Sequence, residues 1–133
     1  MNTQPTNNKT RIFLIRHGAT DSNMKRPYIL QGKGIDLSLN ETGKKQALAV
    51  ANFLKTQTLS AVYSSTMRRA IETASSISSH HQLEVNTFKE LEECDVGNWE
   101  GKDWDSIMTE FPEDYDKFIN DPAENPYLGG ESY

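Results

Sequence analysis

The chain has 133 residues, 35% of them hydrophobic and 25% charged, with a net charge of -5, which fits one ordinary domain and leaves little room for two. The negative balance argues against a phosphodiester-binding surface, because such surfaces are built from clustered Lys and Arg. No stretch approaches the ~20 apolar residues of a membrane span, and the single cysteine, Cys94, leaves no internal disulfide, zinc cluster or redox pair and points to a reducing cytoplasm.

Residues 1–10, opening "MNTQPTNNK", read as a disordered lead-in, and residues 11–133 as the folded part. "RIFLIR" (11–16) is an apolar run too short for a helix and is predicted as a buried first strand. From Gly18 to Asn40 the chain is rich in Gly, Asn, Asp and Pro without periodicity, a long loop of the kind that tends to carry function. Ala47, Val50, Ala51 and Leu54 then recur at helical spacing behind a potential Asn40 cap, predicting a helix over 41–56. "LSAVYSS" gives a second strand around 60–64, and the Ser and Thr at 64–66 are candidate caps for a helix with Ala70, Ile71, Ala74 and Ile77 on one side. "LEVNTF" (83–88) is a third strand candidate. "DWDSIMTEF" and "EDYDKFIN" follow as short helices divided by Pro112. The β-α-β-α alternation predicts an α/β domain with a mainly parallel sheet.

In such sheets ligands collect beyond the carboxyl ends of the strands, which is where Arg16 and His17 would stand. Arg69, in the first turn of the helix after the second strand, would lie nearby, where helix N–H groups also favour an anion. Two guanidinium forks can grip one phosphoryl group by bidentate bonds, and a neutral histidine between them can attack the phosphorus. The arginines would offset the charge that repels a nucleophile, so this arrangement needs no metal or cofactor. A leaving alkoxide requires a proton donor, and the crowded carboxyl groups of Glu90, Glu92, Glu93 and Asp95 supply candidates without spacing deciding among them. Each residue also has a plainer reading: a strand-end histidine bonded to backbone, an Arg69–Glu72 pair on one helix face, a solvated acidic loop. Cys94 reads as a small buried residue, and Trp99 and Trp104 as packing against the sheet.

"LIRHGATDSN", "LQGKGIDLSLNETGKKQA", "VYSSTMRRAIETA", "LEECDVGNWEG" and "GGES" together resemble the histidine phosphatase superfamily, in the branch of cofactor-dependent phosphoglycerate mutases and broad-specificity phosphatases. The resemblance implies a three-layer α/β/α fold of phosphoglycerate mutase type. It implies His17 as the phosphorylated nucleophile, Glu93 as proton donor, Arg16 and Arg69 as the phosphate clamp with Asn23 assisting, and Gln31 and Gly32 at the substrate. Gly43 matches a position where the first helix packs closely. Members of the family carry a second histidine well beyond the "GGES" segment. His80 and His81, the remaining histidines, read instead as a solvated helix terminus. The chain is therefore expected to be an N-terminal portion of a longer enzyme.

Two functions of different class follow. The first is a phosphomonoester hydrolase of small-molecule phosphate esters, with mutase-type phosphoryl transfer as a close variant; the compact stretch between Glu93 and Gly130 resembles the phosphatases. The second is a catalytically dead phosphate-binding fragment. Oligomeric state is not legible here.

Overall fold

A computed structural model describes residues 9–132; residues 1–8 of the expected lead-in lie outside the described residues. The loop predicted over 18–40 contains one helical turn, α1 (Asp21–Met24), closed by a capping box between Thr20 and Asn23. Helix α2 (Glu41–Leu54) begins where Asn40 accepts the Gly43 N–H, as its sequence predicts, and buries Ala47, Ala51 and Leu54. Strand β1 (Val62–Ser65) lies parallel to β2 (Val85–Phe88). Helix α3 (Arg68–Ser78) makes the crossover between them. It packs on both strands and against α2. The expected α/β class with parallel pairing is what the described residues form.

Three local expectations are corrected, two of them in this half of the chain. Residues 11–16 form no ladder among the described residues, and Ile12 and Leu14 are 81% and 98% exposed. An apolar run becomes a buried strand only where neighbours pair with it and cover it. Ile15 alone finds cover, against the Ala51–Leu54–Ile77 cluster between α2 and α3. Nor do the hydroxyls at 64–66 cap α3. Ser64 and Ser65 belong to β1, Thr66 donates to the Glu92 carboxylate, and it is Asp36, from the long loop, that accepts the Arg68 N–H at 2.7 Å.

Beyond β2 the chain winds through two 3-10 turns (Lys89–Leu91 and Gly97–Trp99) into α4 (Trp104–Glu110) and α5 (Pro112–Asn120). Pro112 ends the first helix and opens the second, because a missing N–H costs nothing at a helix start. Trp99 and Trp104 do not pack on the sheet. They join a second core in which Trp99, fully buried, meets Phe118 and Tyr127 edge-on at centroid distances of 5.2 and 5.7 Å, with Ile107 and Val96 closing it. Gly97 brings the "GGES" segment back onto this core. Its φ is +53, and a Cβ there would lie 2.3 Å from the Leu128 carbonyl oxygen, so glycine satisfies both the turn and the close approach. No described helix is long and apolar enough to cross a membrane.

Candidate active site

The segment Arg16–Thr20 leaves the apolar run and is wedged between α2 and α3. Gly18 donates its N–H to the Thr73 hydroxyl at 3.0 Å, and Thr73 in turn bonds the Arg69 carbonyl at 2.8 Å. On the other side Ala19 donates to Gln46 at 2.9 Å. There is no room for a side chain between backbone and helix: a Cβ on Gly43 would lie 2.0 Å from the Ala19 oxygen, and one on Gly18 would lie 2.4 Å from the Gly43 oxygen. The close packing expected at Gly43 is thus a backbone-to-backbone contact that fixes His17 relative to α3, the helix bearing Arg69.

The bonds of His17 settle its tautomer. Nδ1 lies 2.7 Å from the Gly18 carbonyl oxygen, which can only accept, and Nε2 receives the Arg69 Nε–H at 3.2 Å, which can only donate. Both partners require a neutral ring protonated at Nδ1, with the Nε2 lone pair turned towards the guanidinium. Burial lowers the His17 pKa below its ordinary value, and the charges of Arg69 and Arg16 add to this, against the Gly18 bond and Glu93, which raise it.

Arg69 is only 2% exposed. The plainer reading of an Arg69–Glu72 pair does not hold, since Glu72 accepts the Leu39 N–H at 2.8 Å. Arg69 donates instead to the carbonyls of Ile35 (2.8 Å) and Gly32 (3.3 Å) as well as to His17. Glu93, Asp36 and Glu100 act on its charge through space. None of the ion pairs among the described residues includes it. A buried cation fixed by neutral partners keeps attraction in reserve for an anion.

The acidic loop disperses its carboxylates. Glu92 takes the Thr66 hydroxyl, Asp95 pairs with Lys33 at 3.4 Å, and Glu93, accepting its neighbour's Cys94 N–H at 3.1 Å, is the one whose charge is felt by both His17 and Arg69. Arg16 is exposed and borders, with His17, Gln46 and Thr73, a cleft of about 200 Å³. Neither Arg69 nor Glu93 lines that cleft. Asn23 and Gln31 meet through Thr20, whose hydroxyl lies 3.0 and 2.9 Å from their carboxamide oxygens. Neither is hydrogen-bonded to His17 or Arg69 among the described residues. Gly32 places its carbonyl on Arg69 and its N–H on Glu100. Cys94 is half-buried with its thiol pushed up to about 11, mainly by burial, and so stays protonated at neutral pH. His81 departs from a solvated terminus in that its Nε2 is buried without a hydrogen-bond partner among the described residues.

Thr73, Gln46 and Glu100 were not legible as site residues. Thr73 carries a faint signal, one helical turn from Arg69 on the same face. Glu100 carries none, because the loop it holds lies 66–68 residues away in sequence.

The family model for the histidine phosphatase superfamily (branch 1) matches residues 12–133. Phosphoserine phosphatase 1 of Hydrogenobacter thermophilus is 34% identical over 122 residues, covering 92% of this chain and 56% of the relative. The solved structure of a putative alpha-ribazole-5'-P phosphatase from Escherichia coli superposes with a TM-score of 0.80 at 30% identity, over 89% of this chain and 57% of that one. A mycobacterial glucosyl-3-phosphoglycerate phosphatase structure gives 0.75 at 33%, over 87% and 54%. The chain spans a little over half the length of these relatives. With its motifs in order, its parallel β-α-β unit and its superposition on solved members, the chain belongs to the histidine phosphatase superfamily.

Proposed function

We propose that the protein to which this chain belongs hydrolyses small-molecule phosphate monoesters through a phosphohistidine on His17. The Nε2 lone pair attacks phosphorus while the ester P–O bond breaks, and the departing oxygen takes a proton from the Glu93 carboxyl group. Glu93 then accepts a proton from the water that cleaves the P–N bond. Arg16 and Arg69 hold the equatorial oxygens and offset the charge that builds on them. Asn23 assists from the first turn of α1, and Gln31 and Gly32 line the approach for the substrate. The setting is a reducing cytoplasm, with neither nucleic acid nor membrane as partner.

One observation supports this reading: the bonds of the imidazole fit the Nδ1–H tautomer, with the Nε2 lone pair turned to a buried guanidinium whose N–H it accepts and which an anion would take over. A relative supports the choice of anion, since the mycobacterial phosphatase structure holds VO3. Hydrolysis is favoured over mutase-type transfer because the excursion between Glu93 and Gly130 closes compactly on itself, with Asp95 and Glu131 exchanging bonds of 2.7 and 2.8 Å. Rapid quenching with radiolabelled phosphate ester should trap acid-labile phosphate on His17 that decays to inorganic phosphate. Label passing to phosphoglycerate without net release would replace hydrolysis by the mutase reading. Label bound without covalent attachment would leave only a phosphate-binding fragment.

A further inference from the structure

Arg69 owes its orientation to a piece of chain with no regular structure. The carbonyls that receive its Nη1 and Nη2 belong to Ile35 and Gly32, in a loop that is neither helix nor strand. The carboxylate of Glu100 fixes that loop, one oxygen accepting the Gly32 N–H at 2.8 Å and the other the Gly34 N–H at 3.1 Å. The seat is shaped for it: a Cβ on Gly32 or on Gly34 would stand 2.9 Å from Glu100 Oε2. The Gly-Lys-Gly of residues 32–34 therefore lets a carboxylate lie flush on the backbone. Two further ties reach the same loop. Lys33 donates its N–H to the Cys94 carbonyl at 3.1 Å, and its ammonium bridges Asp95 and Glu131 at 3.4 and 3.2 Å on the surface. Glu100 is the tie that is charge-assisted, two-pronged and partly buried, whereas the Lys33 bridges are solvent-screened.

We propose that Glu100 is a positioning residue of the phosphate clamp, holding the Gly32 and Ile35 carbonyls where they aim the Arg69 guanidinium at the Nε2 edge of His17. The proposal rests on the phosphohistidine reading for its role in catalysis. It concerns anion affinity first, and that can be measured without turnover. A glutamine at 100 keeps the shape but offers one acceptor, and its NH2 would oppose the second N–H.

The test compares orthovanadate affinity and the single-turnover rate of His17 phosphorylation in the wild-type chain, Glu100→Gln and Lys33→Ala, with thermal unfolding followed for each. Glu100→Gln should bind vanadate about tenfold more weakly, the loss expected for a charge-assisted bond, and phosphorylate more slowly at saturating substrate. Lys33→Ala should stay within about twofold, as a surface pair predicts. Should Glu100→Gln unfold, Gly34→Ala makes the same test at an exposed position by displacing the carboxylate without removing its charge, and it should weaken vanadate binding at least about threefold. A folded Glu100→Gln or Gly34→Ala with wild-type vanadate affinity would overturn the proposal, as would an equal loss in Lys33→Ala. If the wild-type chain binds vanadate but never forms phosphohistidine, the hydrolase reading fails, while the binding comparison still decides the role of Glu100.

Discussion

Trp99 and Arg69 are the two largest fully buried side chains among the described residues, yet the regions around them are assembled in opposite ways. Around Trp99 the contacts are rings: Phe118, Tyr127 and Trp104 lie at centroid distances of 5.2, 5.7 and 6.2 Å, so shape and removal from water do most of the stabilising. Around Arg69 the contacts are directional bonds to an imidazole and two carbonyls, and the residues that make them come from segments that share no regular element. A core of the first kind is specified by volume, one of the second kind by the angles at which N–H groups and lone pairs meet. Stability and activity should therefore separate between the two regions.

The widest separation is expected from two substitutions measured together. His17→Asn removes the proposed nucleophile and should lower turnover by at least about 10³-fold, the scale seen when a covalent nucleophile is deleted, while shifting unfolding by no more than about 1 kcal/mol. Trp99→Ala should cost about 3–5 kcal/mol of stability and leave turnover per folded molecule nearly unchanged; chemical denaturation and active-site titration check both halves. A Trp99→Ala protein that stays folded but loses the phosphorylation step would tie the two regions together.

Glu93→Gln gives a sharper test within the site. An alkyl phosphate, whose leaving oxygen needs a proton, should be cleaved about 10²-fold more slowly. An aryl ester such as p-nitrophenyl phosphate, whose leaving group departs as an anion, should be affected much less in the phosphorylation step. Equal losses on both substrates in single-turnover assays would remove Glu93 from the role of acid.

A smaller effect follows from pH. Because the folded-state pKa of His17 is lowered, chiefly by burial, the imidazole stays neutral on acidification until pH falls below the ordinary histidine value of about 6.5. The acid limb of kcat/KM should lie below that value. Between the unfolded value and the lowered folded one, the unfolded chain takes up a proton that the native chain refuses, so stability falls as pH drops through that window. A limb above pH 7 would contradict the environment described for His17.

How far the sequence anticipates these regions depends on the range of the interactions involved. The helical spacing of Ala47, Ala51 and Leu54, the cap at Asn40 and the break at Pro112 are local, and each element lies within a few residues of where its pattern puts it. Arg16, His17 and Arg69 stand out in the sequence on the expectation that strand ends in a parallel sheet share one edge, whereas what brings His17 to Arg69 is the bonding of Gly18 and Ala19 to α3 and α2. The ladder expected for residues 11–16 was not, since apolar composition says nothing about which neighbour covers it. The cap on Arg68 comes from Asp36, and the seat of the Arg69 loop from Glu100. Both are long-range bonds from acidic side chains to backbone N–H groups, and a single sequence shows such carboxylates only as solvated charge.

The central claim is that one imidazole nitrogen and two guanidinium groups close on a single tetrahedral anion. A crystal structure with orthovanadate addresses it most directly. The account predicts vanadium bound to Nε2 of His17, its Nδ1 still donating to the Gly18 carbonyl, with equatorial oxygens on Arg16 and Arg69. Vanadate bound elsewhere, or a His17 ring turned to offer Nδ1, would contradict it.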